Sequence, residues 1–490
     1  MSRKALSLSV LTSAVVLIAV FAVVARLSMP ARAWNPKAGT MLTVPDLKAA
    51  PTAVQPARNL PIDTKLHTVA KGESLPGIVH RYLPQTTFLT GSELEQAIRA
   101  KNPAIKGIWP KPGSEIVIPS YKEDWTEKPV LISKEFEVRA VYLTGTMAGS
   151  AKGLEIIRKW RAAGGNSVVF DIKDSDGSVS VPSGLALTPE QKSYPIRNLA
   201  KFTGFLHSQE LHAIARIAVF RDEALVTKHP ELAVQSHSSA GAWRENGKLV
   251  WTDSSNPKVW EYNNELAKFA AAHGVDEIQF DYLRFPAEGD QKDAKFLYET
   301  QHPDWKRADA ITNFLERAQS ELKPSGVLLS LDVFGVMAWQ RPVDLAHTGQ
   351  DIAQMAKYCD VMSPMIYPSH FFGMDGYADP GDAPEHFISE SMERFQKVTA
   401  ASGVVLRPWL QAFGWRTKSY SPEYIRIQVA VSRAKGAHGF LFWNANNDYS
   451  KPYAAMPEMR NDAAKYFRGD EVKNYAVKMA PAKASGAAVN

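Results

Sequence analysis

At 490 residues, with 45% hydrophobic and 22% charged side chains, the chain has the composition of a globular protein and exceeds one ordinary domain. The formal charge of +6 is local: residues 1–64 hold seven basic side chains and two acidic ones, leaving the remainder near neutral. A nucleic-acid partner, which needs a basic face on the folded part, is therefore excluded. The lone cysteine, Cys359, excludes an internal disulfide and a cysteine-based metal site, and its apolar surroundings, Tyr358 to Met362, place it in a core.

Arg3 and Lys4 precede an uncharged apolar run from Leu6 to Ala25, followed by Arg26 and Ala31-Arg32-Ala33. Residues 1–33 thus have the layout of an export signal. The run at 6–25 is also long enough to cross a bilayer, so a removed peptide and a retained membrane anchor both remain open. Either places the rest outside the cytoplasm, in the periplasm or cell envelope. Residues 34–64, rich in Pro and Ala without periodicity, read as a linker, and 469–490 as a disordered tail.

Residues 65–119 read as strand, helix, helix, strand: His67-Thr68-Val69, Ile78 to Tyr82, Leu94 to Ala100 and Glu115 to Pro119. With Gly72-Glu73-Ser74-Leu75, Arg81-Tyr82, Asn102-Pro103 and Pro112-Gly113, this order resembles a LysM domain. The departures are Pro76-Gly77 at the start of the first helix and a long connection from Leu83 to Ser92. The resemblance implies binding to peptidoglycan or another N-acetylglucosamine polymer.

From residue 137 to 468, eight apolar runs read as buried parallel strands: Val138–Gly145, Asn166–Lys173, Ala213–Phe220, Asp276–Phe285, Val327–Gly335, Asp360–Tyr367, Val405–Phe413 and Gly439–Asn444. Helices are expected at Leu154–Ala163, Ile196–Gln209, Lys258–His273, Arg307–Leu322, Asp351–Tyr358, His386–Thr399, Glu423–Lys435 and Pro457–Phe467. Asn256-Pro257 and Ser421-Pro422 signal helix starts, and Gly164, Gly274 and Gly436 signal stops. Eight such repeats predict an α/β fold, a (β/α)8 TIM barrel after a small βααβ domain. An open doubly wound sheet is the competitor, but Gly145 to Ser150 lacks the glycine-rich phosphate loop it would carry.

Strand ends should carry the site. On strand four Glu277, Gln279 and Asp281 share one side, with Asp281 at the mouth and Arg284 close enough in sequence to keep it ionised. Strand five puts Asp332 alone in an apolar run, where a raised pKa suits a general acid. Two carboxylates on adjacent strand ends are the minimum apparatus of glycoside hydrolysis, retaining near 5 Å separation and inverting at roughly 6.5 to 9.5 Å. Substrate contacts are expected from Asp171 and Lys173, Gln279, Arg284, Tyr367 and His370, Arg407, Trp409 and Gln411, and Trp443 with Asn444, since sugars take aromatic faces together with amide and charged donors. Asp174, Arg216, Arg221, Asp222 and Asn446 lie at or near strand ends as well. The histidines show no close ligand spacing, so neither metal nor cofactor is expected.

Glu277 to Pro286, Asp332 to Gly335, Asp360 to His370, Arg407 to Phe413 and Phe442 to Ala445 resemble the signature segments of a bacterial family of glycoside hydrolase domains. That family is distantly similar to the α-amylase-like barrels, and its members often follow LysM modules. The resemblance implies a nucleophile position for Asp281. It departs at strand five, where Asp332 stands in place of the usual Glu. The expected function is hydrolysis of an envelope or extracellular polysaccharide. The alternative is a non-catalytic glycan-binding protein on the same barrel; metal-dependent deacetylation of amino sugars is a weaker third.

Overall fold

The computed structural model describes residues 64–122 and 125–469; the expected export segment, all but the last residue of the linker and all but the first of the tail lie outside them. Among the described residues no helix is long and apolar enough to cross a membrane. The chain divides into two units after Trp125.

In the first unit, β1 (Lys65–Thr68) and β2 (Glu115–Ile118) pair antiparallel around α1 (Leu75–Tyr82) and α2 (Gly91–Lys101). Leu75, Ile78, Leu94, Ile98, Ile116 and Ile118 form its core. The Pro76-Gly77 pair does not break the first helix. Ser74 caps it by accepting the Gly77 N–H at 3.2 Å, and Pro76 sits in the first turn, where no donor is needed.

The second unit is a closed ring of parallel strands: β3 (Val138–Leu143), β4 (Ser167–Lys173), β5 (His212–Ala218), β6 (Glu277–Asp281), β7 (Leu328–Phe334), β8 (Val361–Ile366), a seventh strand in two pieces, β9 (Val405–Leu406) and β10 (Trp409–Gln411), and β11 (Gly439–Trp443). Closure comes where β11 pairs with β3, Gly439 opposite Val138. Gly439 has φ +84°, and a Cβ there would meet the Val138 carbonyl oxygen at 1.9 Å, so only glycine fits this seam. The seventh strand is broken at Arg407-Pro408, where proline has no N–H to donate. The expected (β/α)8 barrel is therefore present.

The main crossover helices are α3 (Ala151–Ala163), α4 (Leu199–Ser208), α5 (Pro257–Ala272), α6 (Arg307–Leu322), α7 (Pro384–Thr399), α8 (Pro422–Ala434) and α9 (Ser450–Asn461). Asn256 and Ser421 cap α5 and α8 ahead of Pro257 and Pro422, and Gly164 ends α3 at φ +112°. The fifth crossover differs from expectation: Pro342–Thr348 and Ile352–Met355 are two short helices, separated by Gly349 at φ +71°. The last helix starts earlier than expected and carries Pro457 inside it. Strand four is shorter than its apolar run, because Tyr282 turns left-handed at φ +50° and ends the extended chain.

Candidate active site

The centre of the barrel mouth is Arg216, on β5 and almost fully buried. Its Nε and Nη2 both donate to Asp281 Oδ2, at 3.0 and 2.7 Å. Nη1 donates to Asp171 Oδ1 at 2.6 Å and lies 3.9 Å from Asp174 Oδ1. On the other side Nε lies 4.0 Å from Asp332 Oδ2. One guanidinium thus faces four carboxylates from strands two, four and five, with the Tyr142 ring 5.6 Å from its carbon. Desolvation opposes charge on Arg216, but Asp171 and Asp281 outweigh it and raise its pKa further.

The four acids differ in depth: their side chains are 34% exposed at Asp174, 11% at Asp281, 1% at Asp332 and 0% at Asp171. Asp281 has both oxygens held by donors, Oδ2 by Arg216 and Oδ1 by the Tyr282 N–H at 2.6 Å. All three bonds to Asp281 thus come from N–H donors, two of Arg216 and one of the backbone.

Asp332 is the opposite case. Its Oδ1 accepts from Trp409 Nε1 at 2.7 Å, while Oδ2 is buried without a hydrogen-bond partner. Burial, and after it the nearby Asp281 charge, push its pKa well above the usual carboxylate range and so favour its protonated form. Asp171, raised to about 7 chiefly by burial, accepts from Arg216 and from the Tyr142 hydroxyl.

Aromatic side chains from strands six to eight line one wall. Tyr367 lies 5.5 Å from His370, 5.6 Å from Phe413 and 5.7 Å from Trp443, centroid to centroid. Burial drives His370 down to about 3, so its imidazole is neutral.

Several residues expected to touch substrate are committed elsewhere. Lys173 is fully buried on Asp222 at 2.8 Å, and Arg407 is fully buried on Glu277 at 2.8 Å. Gln279 lies inside the barrel, its amide 3.4 Å from Ser363 Oγ. Gln411 brackets the backbone, accepting from Ser369 N–H and donating to the Phe413 carbonyl, while Asn444 donates to the Ala412 carbonyl. The expected cation beside Asp281 is also corrected. Arg284 packs over Trp251 at 4.5 Å and Phe334 at 4.8 Å, and the guanidinium bonded to Asp281 is Arg216. A lone charge in the apolar run of strand three was the signal for Arg216, the same signal that marks Asp332 on strand five. Among the described residues no group of three or more His, Cys, Asp or Glu could hold a metal.

A closed parallel barrel with carboxylates gathered at its mouth defines a protein of the (β/α)8 class. The chain belongs to the family described as "Putative glycosyl hydrolase domain", whose model matches residues 140–449. No curated protein matches. Among solved structures, a hypothetical protein from Ruminiclostridium thermocellum is 36% identical over 39% of this chain and 97% of its own, with a TM-score of 0.34. The glycoside hydrolase domain of PgaB (BpsB) from Bordetella bronchiseptica is 14% identical over 67% of this chain and 97% of its own, with a TM-score of 0.48. An alpha-L-fucosidase isoenzyme from Paenibacillus thiaminolyticus is 14% identical over 68% and 50%, with a TM-score of 0.49.

Proposed function

We propose that this glycoside hydrolase barrel cleaves an envelope or extracellular polysaccharide with Asp281 as the charged carboxylate and Asp332 as the proton-bearing one. The observation that carries the reading is the meeting of the two at one nitrogen, Arg216 Nε, 3.0 Å from Asp281 Oδ2 and 4.0 Å from Asp332 Oδ2. A guanidinium-bonded carboxylate beside a carboxyl whose protonated form burial favours is the pairing that acid-base glycoside cleavage needs. Asp281, nearer the solvent, stabilises or attacks the anomeric carbon. Asp332 passes its proton from Oδ2 to the leaving oxygen, once a bound sugar displaces what covers that atom. Tyr367 and Trp443 offer faces to the ring carbons.

The same reading gives the first unit a wall-binding role as a LysM-type module and places the chain outside the cytoplasm. Ile108 and Trp109 are exposed, and the Ile108 carbonyl accepts from the Leu75 N–H at 2.8 Å, which sets this apolar pair beside the start of α1. Residues 34–490 should release reducing ends from at least one envelope or storage polysaccharide, and the Asp281→Asn variant from none. Binding without release by the unaltered chain supports the non-catalytic alternative instead.

A further inference from the structure

The aromatic wall continues outward past the residues expected to bind sugar. From Trp443 and Tyr367 it runs through Phe413 and His370 to Trp415, which lies 5.2 Å from His370, and on to Phe372, 5.7 Å from Trp415. Each step is comparable to one sugar repeat. Phe413, Trp443, Trp415 and Phe372 are all partly exposed, so the wall presents ring surface along its length. It is also uncharged, since burial keeps the His370 imidazole neutral. The first charge met at its outer end is Arg416, exposed and held with its guanidinium carbon 4.1 Å from the Phe372 ring centre and 4.7 Å from that of Trp415. Arg416 has a left-handed backbone, φ +49°, uncommon for a side chain of this size. It pairs with no carboxylate among the described residues, whereas its neighbour Lys418 is taken by Asp379 at 2.9 Å.

We infer that Trp415, Phe372 and Arg416 form an outer subsite for a sugar bearing a carboxylate, placed beyond the bond that Asp281 and Asp332 act on. An exposed guanidinium held against two rings and paired with no carboxylate among the described residues can offer its N–H groups for bidentate contact with a carboxylate. The charge order along the wall fixes the direction of the chain: the acidic inner end excludes an anionic sugar, and the cationic outer end attracts it. The substrate class is thus an acidic glycan, with carboxylates on some units and a neutral unit at the cleavage point. This rests on the reading of the barrel mouth as the cleavage site.

The test measures binding to the full chain carrying Asp281→Asn, to prevent turnover, with and without Arg416→Gln. The probes are hyaluronan oligosaccharides and peptide-free peptidoglycan strands, which carry carboxylates, and neutral chitin oligosaccharides. The N-terminal unit is the same in both proteins, so its own glycan binding cancels. The expected result is about a tenfold loss for at least one carboxylated probe on Arg416→Gln, in keeping with one charged hydrogen-bonding contact. Chitin binding should be unchanged, and the lost affinity should be the salt-sensitive part. Equal loss on all probes makes the wall a stacking surface alone and overturns the inference, as does no loss on any probe or no binding of the carboxylated probes. These outcomes are separable from failure of the hydrolase reading, which shows as absence of reducing-end release by the unaltered chain.

Discussion

Arg216 carries the electrostatics of the mouth, and its removal has a definite sign. Arg216→Gln takes a cation from beside Asp332 and so favours the protonated form of that acid further. The basic limb of the pH profile of kcat/KM, set by the proton on Asp332, should move to higher pH, with kcat lower throughout because Asp281 loses two of its bonds. Arg216→Lys should keep that limb near its normal place but lose rate, because one ammonium cannot reproduce the two bonds to Oδ2. A limb unmoved in a folded Arg216→Gln variant would show that the arginine only packs. Asp332→Asn should slow hydrolysis by about 10²- to 10⁴-fold, the usual worth of a positioned acid-base group. In the sequence Asp332 stood out as a single charge in an apolar run, and Asp281 as the outermost of the polar residues sharing one side of strand four. The partner of Asp281 did not: Arg284 is three residues away in sequence and Arg216 sixty-five, yet it is Arg216 that shares the barrel interior with it. Lys173, Arg407, Gln411 and Asn444 are bonded within the protein to an extent the sequence does not display, for a related reason. Alternation along a strand tells which way a side chain points and says nothing of how deep it lies, so internal ion pairs and amide brackets look like mouth residues.

At the scale of elements, strand order and helix positions followed from hydrophobic period and caps, and the errors fell where backbone geometry overrides pattern. Tyr282 cuts strand four short, Pro408 splits strand seven, and Gly349 divides the fifth crossover. Gly439 supports the most direct prediction here. Gly439→Ala should lower the melting temperature or abolish folding, because the new Cβ collides with the carbonyl of Val138 at the seam closing the ring. A variant melting with the unaltered chain would contradict that account of closure. The opposite end of the barrel gives a pH prediction. His207 on α4 bonds Asp276 at 3.0 Å and Glu127 at 2.9 Å. Burial opposes its charge, yet these bonds raise it to about 9. Its folded value thus exceeds its unfolded one, so its stabilisation is complete below about pH 6.5 and fades as pH rises through 9. Thermal melts of wild type and His207→Gln should differ most near pH 6 and converge above pH 9.

On the scale of the whole molecule, the proposed division of labour gives glycan retention to the first unit and hydrolysis to the barrel. A chain lacking residues 65–119 should still hydrolyse a soluble polysaccharide at the normal rate while losing retention on insoluble peptidoglycan. Loss of both would make the first unit part of the catalytic machinery. The claim on which the rest depends is that Asp281 is the charged carboxylate of a working hydrolase. Its most direct measurement is reducing-end release from a panel of envelope and storage polysaccharides by residues 34–490, set against Asp281→Asn of matched melting temperature. The account predicts release from at least one polysaccharide by the first protein and a fall of roughly a thousandfold or more in the second. Equal release by the two, or release by neither, would contradict it.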